Sequence, residues 1–490
     1  MSKVYLAGAG PGDPELITLK CRRVLEQADA VLYDHLANEA LLDLAPAAAE
    51  RIYVGKKRAE HVLTQAEIVA MLIARARAGQ TVVRLKGGDP FIFCRGGEEA
   101  EALAEAGVDF EVIPGVTAPL GIAAYTGVPL THREHTSVVT LLTGHDPSLM
   151  DWSKVSGSET LVIYMGLTHI GEIVERLIEN GRDPMTPAMA VRWGTRPEQQ
   201  TIAAPLRDLP QAVASAAMKP PATVIIGEVV RLRDRLNWYE RLPLFGQRVV
   251  ITRAQGQAGE MASKLRSLGA DAVELPAIAI HPAADYTALD GAIAKLEQYD
   301  WLIFTSANGV RFFLDRLDRS PSDPRALRGK ICAIGPATRS ALEQAHLKAD
   351  VMPETYVAEA LVAALDPYDL NRARVLLPRA AVARDVIPIE LGRRGALVDV
   401  VEAYRTQAPE FAHQMSREVF SKKADWVTFT SSSTVRNFLA IAGRGVLEGV
   451  RIASIGPVTS DVLRKHGLEV TVEAEEFTID GLVRAIVSAG

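Results

Sequence analysis

Thr81 to Leu85 is a short β-branched, apolar run that ends on Lys86-Gly87-Gly88-Asp89-Pro90. A buried strand that stops on two glycines constrains this chain more than any other stretch. It predicts a strand of an α/β sheet followed by a turn at its carboxyl end. The two missing side chains let backbone N–H and C=O groups approach a ligand, and they permit positive φ. Asp89 adds a fixed anion, and Pro90 stops the strand. A helix is expected soon after, with Gly96-Gly97 before Glu98-Glu99-Ala100-Glu101. Open α/β sheets bind ligands at the carboxyl ends of their strands. A Gly-Gly-Asp there suits a small polar ligand carrying a positive charge or a ribose. The same residues also read as a tight turn with an exposed Asp.

Other segments repeat the pattern. Val4–Ala7 reads as a strand, followed by Gly8-Ala9-Gly10-Pro11-Gly12-Asp13-Pro14. This is not the dinucleotide fingerprint, because the third glycine comes too early and Pro11 and Pro14 block an early helix. Helices are expected over 16–28, with Thr18 as a possible N-cap, and over 65–78. Strands at Ala30–Tyr33 and Arg51–Val54 end in Asp34-His35 and Gly55-Lys56-Lys57. Phe110–Ile113 runs into Pro114-Gly115-Val116-Thr117-Ala118-Pro119, where we place an internal hinge. Four more strands are expected at 138–142, 160–165, 188–193 and 222–226. Alone, Asp34 or Lys56 is an ordinary solvated loop charge. Several polar strand ends in one sheet point to a shared site.

At 490 residues, two or more domains are expected. Lys and Arg number 54 against 60 Asp and Glu, a net charge of −6 without a basic block, which argues against nucleic acid. Cys21, Cys94 and Cys332 lie far apart without metal spacing, so we expect a reducing cytoplasm and no disulfides. The N-terminus goes straight into a strand and does not read as a signal peptide. No apolar run approaches the length of a membrane span.

The blocks Gly8–Pro14, Tyr33-Asp34, Val54-Gly55-Lys56, Leu85–Pro90, Pro114–Ala118, Pro129-Leu130-Thr131-His132-Arg133 and Tyr164-Met165-Gly166 occur together and in order. That set resembles uroporphyrinogen-III C-methyltransferases of the tetrapyrrole methylase family, from residue 3 to about 235. The resemblance implies two α/β subdomains with S-adenosylmethionine folded between them. It implies contacts from Pro11, Gly87, Gly88, Asp89, Ile92, Thr117, Ala118, Met165 and Gly194. It also implies a homodimer through this half. Methylation of a ring carbon ends with loss of a proton, so a nearby base helps. By the family's pattern Asp34 is the acceptor and Lys56 a donor. The loop His132-Arg133-Glu134-His135, with His145 beyond, lacks H-E-x-x-H order and a helical frame. We read His132 and Arg133 as ligands of substrate carboxylates, and expect no metal.

After a charged, Pro- and Gly-punctuated junction over 231–246, the chain repeats itself. Val249–Ala254 recurs as Val375–Ala380, so that Arg253 matches Arg379. Trp301–Ser306 recurs as Trp426–Ser431, and Ala333–Thr338 as Ser454–Thr459. Pro353–Tyr356 recurs as Ala474–Phe477. Two copies of one α/β unit facing each other make a cleft. Ser306, Ser431, Thr338 and Thr459 fall at strand-to-helix turns suited to anions, or serve as helix N-caps. Arg253 and Arg379 suit carboxylates. With Glu402-Ala403-Tyr404-Arg405-Thr406, this pattern resembles uroporphyrinogen-III synthase. The resemblance implies interleaved lobes, residues 247–280 with 407–490 in one and 281–403 in the other. It also implies closure of hydroxymethylbilane with inversion of the last ring. Tyr404 is then the candidate for assisting hydroxyl departure, or else a core aromatic with a satisfied hydroxyl.

The expected fold is therefore α/β throughout: a tetrapyrrole-methylase fold over 1–240, then a two-lobed synthase fold over 246–490. The expected activity is bifunctional. Uroporphyrinogen III is made and then methylated at carbons 2 and 7 to precorrin-2, with S-adenosylmethionine as donor and no NAD. Three alternatives stand beside it: a methyltransferase with a non-catalytic C-terminal module, a nicotinamide oxidoreductase, and a two-lobed solute-binding protein.

Overall fold

The computed structural model describes residues 3–55, 63–253, 258–407, 409 and 411–490. Two compact units emerge. One takes the chain up to Arg248 with Leu265–Asp271 and Gly490, and the other Val249–Lys264 with Ala272–Ala489.

The first unit contains two five-stranded sheets. Strands β1 (Val4–Gly8), β2 (Ala30–Tyr33), β3 (Glu50–Tyr53), β4 (Val82–Lys86) and β5 (Phe110–Ile113) lie in the order β3-β2-β4-β1-β5. All four pairings are parallel. Both faces of the sheet centre are covered, which is why β1 and β2 read as apolar runs. Ala7, Val31 and Leu85 pack on one side, and Leu6, Leu32 and Val82 on the other. Helix Leu19–Leu25 begins where Thr18 accepts from Cys21 N–H, and helix Gln65–Arg77 begins with a Thr64–Glu67 capping box.

Strands β6 (Val139–Thr143), β7 (Thr160–Tyr164), β8 (Pro187–Arg192), β9 (Gln200–Pro205) and β10 (Ala222–Ile226) form the second sheet, in the order β6-β7-β10-β8-β9. Only β6 and β7 pair in parallel; the other neighbours are antiparallel. Strand β9 was not expected. It is an edge strand whose residues are exposed or half-buried throughout, so it lacks an alternating apolar signature.

The second unit also carries two sheets. Strands β11 (Arg248–Ile251) and β12 (Asp271–Glu274) are followed by β13 (Ala279–Pro282), β14 (Trp301–Phe304), β15 (Lys330–Ala333), β16 (Arg374–Ala380) and β17 (Leu397–Gln407). Then come β18 (Trp426–Phe429), β19 (Arg451–Ser454) and β20 (Val472–Glu473). One sheet runs β12-β11-β18-β19-β20 and the other β13-β17-β16-β14-β15. The repeat is visible in the topology, since β11-β18-β19 corresponds to β16-β14-β15. It is also visible in the turns. Ser306 and Ser431 share a backbone conformation, φ −166° with ψ 152° and 159°. Gly335 lies against the ring of Tyr356, and Gly456 against the ring of Phe477. Among the described residues, no helix is long and apolar enough to cross a membrane.

Candidate functional site

The carboxyl ends of β1 and β4 meet at glycines. Gly10 and Gly88 bridge through Gly88 N–H to Gly10 O at 2.8 Å and Gly10 N–H to Gly88 O at 3.3 Å. A Cβ on Gly115 would stand 2.3 Å from the Gly88 carbonyl, and one on Gly8 2.6 Å from it. Backbone therefore packs on backbone here, which only glycine allows. Gly88 itself has φ +70°.

Above this floor opens a crevice lined from both sheets of the first unit. Pro11, Gly87, Gly88, Ile92, Thr117, Ala118, Met165 and Gly194 all line it, so eight of the nine residues expected to hold a cofactor come together. Asp89 does not line it. Its Oδ1 accepts from Phe91 N–H at 2.8 Å and its Oδ2 from Gly115 N–H at 3.0 Å. Asp89 thus ties the β4 loop to the β5 loop. Thr117 occupies an N-cap position without capping. Its hydroxyl instead pairs with Tyr164 Oη at 2.8 Å, joining the two halves of the crevice wall. Burial pushes the Tyr164 phenol up, with the Thr117 hydrogen bond opposing. Cys94 also lines the crevice, and burial pushes its thiol up to about 11. It is a protonated wall residue at neutral pH rather than a nucleophile.

Behind the wall lies a buried charge network. Glu99, fully buried, accepts from Lys86 Nζ at 2.9 Å and Arg84 Nε at 3.3 Å through Oε1. Gln65 Nε2 donates to the same oxygen at 2.9 Å. Arg84 reaches on to Asp34. Burial, followed by the neighbouring Arg84, holds the Lys86 ammonium below its usual range. Asp34 sits at the end of β2, where its Oδ1 also accepts from Leu36 N–H at 3.1 Å. Lys56 lies outside the described residues. Sequence reasoning missed Leu36, Phe93, Tyr164, Trp193 and Arg196, all of which line the crevice. Leu36, Phe93 and Met165 do so while 41–49% exposed, giving the crevice an apolar rim.

His132 and Arg133 fall in a separate loop. The His132 and His135 rings stack at 4.7 Å, and His132 Nδ1 accepts from Glu134 N–H at 3.2 Å. The ligand-type atoms of His132, Glu134 and His135 lie within 4.8 Å of one another. The four-residue turn His132–His135, closed by His135 N–H to His132 O at 3.0 Å, gathers the residues whose spacing in the sequence had already drawn attention to them.

In the second unit, a pocket is lined by Thr305, Tyr356, Leu377, Arg379, Arg384 and Val458, among others. Of the residues expected to bind substrate here, Arg379 is the one that lines it. Its guanidinium donates to Arg384 O at 3.0 Å and to Asp385 Oδ1 at 2.5 Å. Ser306 and Ser431 cap helices Ala307–Asp318 and Ser432–Ala442. Thr338 and Thr459 are buried in the first turns of helices Pro336–Gln344 and Pro457–Lys465. Burial lowers the basicity of Arg253. Tyr404 is buried; its hydroxyl pairs with Ser306 Oγ at 3.0 Å and its ring stacks on Phe312 at 5.8 Å.

The loop after β1 runs into a short 3-10 turn, Pro14–Leu16, rather than a helix pointing at the crevice.

Comparison with known proteins agrees with this division. Residues 3–210 match the Tetrapyrrole (Corrin/Porphyrin) Methylases, and residues 259–484 match Uroporphyrinogen-III synthase HemD. The porphyrin biosynthesis protein HemD of Ruminiclostridium josui is 35% identical over an alignment of 496 residues, covering 99% of this chain and 98% of that protein. The siroheme synthase of Azotobacter vinelandii is 51% identical over 244 residues, which is 49% of this chain and 53% of that enzyme. Among solved structures, uroporphyrin-III C-methyl transferase from Thermus thermophilus complexed with S-adenyl homocysteine is 43% identical, covering 47% of this chain and 99% of that one, with a TM-score of 0.41. Wild-type uroporphyrinogen III synthase from Thermus thermophilus is 19% identical, covering 50% of this chain and 97% of that one, with a TM-score of 0.33. The chain belongs to the family of the Ruminiclostridium josui porphyrin biosynthesis protein, joining a tetrapyrrole methylase region to a uroporphyrinogen-III synthase region.

Proposed function

We propose that the chain carries out two consecutive steps of tetrapyrrole biosynthesis. The region from about 246 to 490 closes hydroxymethylbilane to uroporphyrinogen III. The region over 1–240 then methylates carbons 2 and 7 to give precorrin-2. The observation that carries this reading is the convergence of Pro11, Gly87, Gly88, Ile92, Thr117, Ala118, Met165 and Gly194 on one crevice. Those residues fit S-adenosylmethionine. Gly88, at φ +70°, takes a backbone conformation that a side chain would strain, and it lines the crevice beside Thr117 and Ala118. Ile92, Met165 and Ile122 offer apolar surface to a purine, while backbone groups of the glycine loops face its polar part.

When bound, S-adenosylmethionine supplies an electrophilic methyl group on a sulfonium. The protein's work is alignment, exclusion of water and proton handling. The apolar rim of Leu36, Phe93 and Met165 suits the pyrrole faces of a macrocycle. Asp34, held by Arg84 and Leu36 N–H, takes the ring proton on a carboxylate oxygen. Lys56 serves as proton donor, and His132 with Arg133 receives peripheral carboxylates. In the second unit Arg379 meets a substrate carboxylate, and Tyr404 donates to the departing hydroxyl.

Mass spectrometry of the anaerobic product tests this. Hydroxymethylbilane with S-adenosylmethionine should yield a doubly methylated tetrapyrrole, and without the donor uroporphyrinogen III. No mass gain with either substrate overturns the methyltransferase reading. A second reading, a C-terminal unit that binds but does not turn over, is favoured by Ser306 and Ser431 being spent on helix caps. Methylation of supplied uroporphyrinogen III but not of hydroxymethylbilane would select it.

A further inference from the structure

One cation on the crevice wall has no partner of opposite charge among the described residues. Arg196 follows β8 in the turn Trp193–Gln199, and both Arg196 and Trp193 line the crevice. The turn is pinned at several points. Arg196 N–H donates to Trp193 O at 3.1 Å and Gln199 N–H to Arg196 O at 2.9 Å. Gln199 Oε1 accepts from Thr195 N–H at 2.9 Å, and Thr195 Oγ1 accepts from Asp13 N–H at 2.9 Å. Trp193 and Thr195 both hold positive φ, 51° and 69°.

The side chain is fixed as firmly as the backbone. Its guanidinium lies over the Trp193 indole at 4.5 Å. Nη2 donates to Leu36 O at 3.3 Å. Nε is buried and meets no acceptor among the described residues. Burial holds the group below its usual range, with Glu198 and Glu39 acting only through space. No carboxylate of the described residues forms an ion pair with it. A planar fork of donors, half-buried and held over the Trp193 ring with its Nε out of reach of any acceptor among the described residues, matches a carboxylate. Placing an unpaired cation in such a wall is costly for folding alone, so the arrangement calls for an anionic ligand.

We propose that Arg196 is a carboxylate-recognition residue of the crevice, held ready by Trp193 and the Leu36 carbonyl. This rests on the methyltransferase reading of the crevice. Two ligands there carry carboxylates: the amino-acid end of the methyl donor and the acidic arms of the tetrapyrrole.

The test uses the full chain and the variants Arg196→Gln and Arg196→Lys. Calorimetry measures binding of S-adenosylhomocysteine and of 5′-methylthioadenosine, which keeps the nucleoside thioether but lacks the amino acid. Methylation kinetics give KM for uroporphyrinogen III. If the donor's carboxylate is the ligand, Arg196→Gln weakens S-adenosylhomocysteine by about tenfold or more and leaves 5′-methylthioadenosine unchanged. If an arm of the macrocycle is the ligand, both nucleosides bind as before and KM rises by about tenfold with kcat little altered. Arg196→Lys, which keeps the charge without the fork, should recover only part of either loss. Wild-type values for Arg196→Gln in every measurement overturn the role of Arg196 alone. A wild-type protein that binds neither nucleoside overturns the crevice reading and this one with it.

Discussion

Arg84 Nη2 donates to Asp34 Oδ2 at 3.1 Å, from β4 to the end of β2, while Nε of the same guanidinium meets fully buried Glu99 at 3.3 Å. A carboxylate at the end of β2 is thereby fixed to a charge network inside the sheet. The Asp34 side chain is 26% exposed and that of Arg84 5%, so one end of the pair faces solvent and the other does not.

Asp34→Asn keeps the shape and removes the base. Methyl transfer should slow by about 10²–10⁴-fold in single-turnover assays. Affinity for S-adenosylhomocysteine should stay within about threefold, because Asp34 does not line the donor crevice. A rate close to wild type would leave Asp34 a structural residue.

Glu99→Gln leaves Arg84 and Lys86 buried without their shared anion. Breaking such a buried network costs about 3–5 kcal/mol. Denaturant titration should show the transition of the first unit moving to lower urea while that of the second is unmoved. An unchanged first transition would mean that water reaches these cations.

Gly115→Ala inserts a methyl group 2.3 Å from the Gly88 carbonyl. Backbone must shift to admit it, and the loop that shifts lines the crevice. The variant should lose stability and S-adenosylhomocysteine binding together, whereas Gly97→Ala, where a Cβ meets nothing within 4 Å, should lose neither. Calorimetry with thermal melting distinguishes the two.

Burial raises the Tyr404 phenol above its ordinary value of 10, with Ser306 opposing. Tyr404 therefore remains a hydrogen-bond donor throughout the neutral range, and any alkaline loss of synthase activity below pH 10 belongs to another group. Tyr404→Phe removes one hydrogen bond, worth about 1 kcal/mol of stability. If the phenol assists the leaving hydroxyl, cyclisation slows by about 10²-fold or more. Full synthase rate in that variant would assign Tyr404 to packing.

Glu111 supplies a pH test. Its carboxyl is held at about 2 by hydrogen bonds from Lys20 and then Lys3. A depressed carboxylate stabilises the fold above its unfolded value near 4.5, and that contribution is lost as pH falls through about 2. Glu111→Gln should therefore be less stable than wild type at pH 7, with the gap closing between pH 4.5 and 2. Lys20 is 48% exposed, so added salt should narrow the gap as well. A gap constant across that range would show that the ion pairs do not form in solution.

Local signals were legible in the sequence. Thr18 marked a helix start, Gly87-Gly88 marked a crevice floor, and the Trp301/Trp426 repeat marked paired sheets. Pairings over long separations were not. The Asp89 carboxylate accepts from Gly115 N–H, 26 residues on, a tie that the local sequence does not announce. Tyr164 and Thr117 meet across 47 residues, and Arg196 reaches Leu36 across 160. Strand β9 stayed hidden because an exposed edge needs no apolar alternation. His132, Glu134 and His135 stood out in the sequence by their spacing, and the turn brings their ligand-type atoms within 4.8 Å of one another.

The sheet built from β13 to β17 is continuous in the chain, from Ala279 to Gln407, whereas its neighbour needs Val250 beside Val427. During synthesis the inner sheet can therefore finish first. The outer one must keep β11 waiting for a central strand still to be translated, for roughly 10–30 s at ordinary elongation rates. An unpaired apolar strand edge is open to wrong partners for that interval. The vulnerable moment in this chain's biogenesis falls late, between release of the inner sheet and arrival of β18, well after the methylase half has left the ribosome.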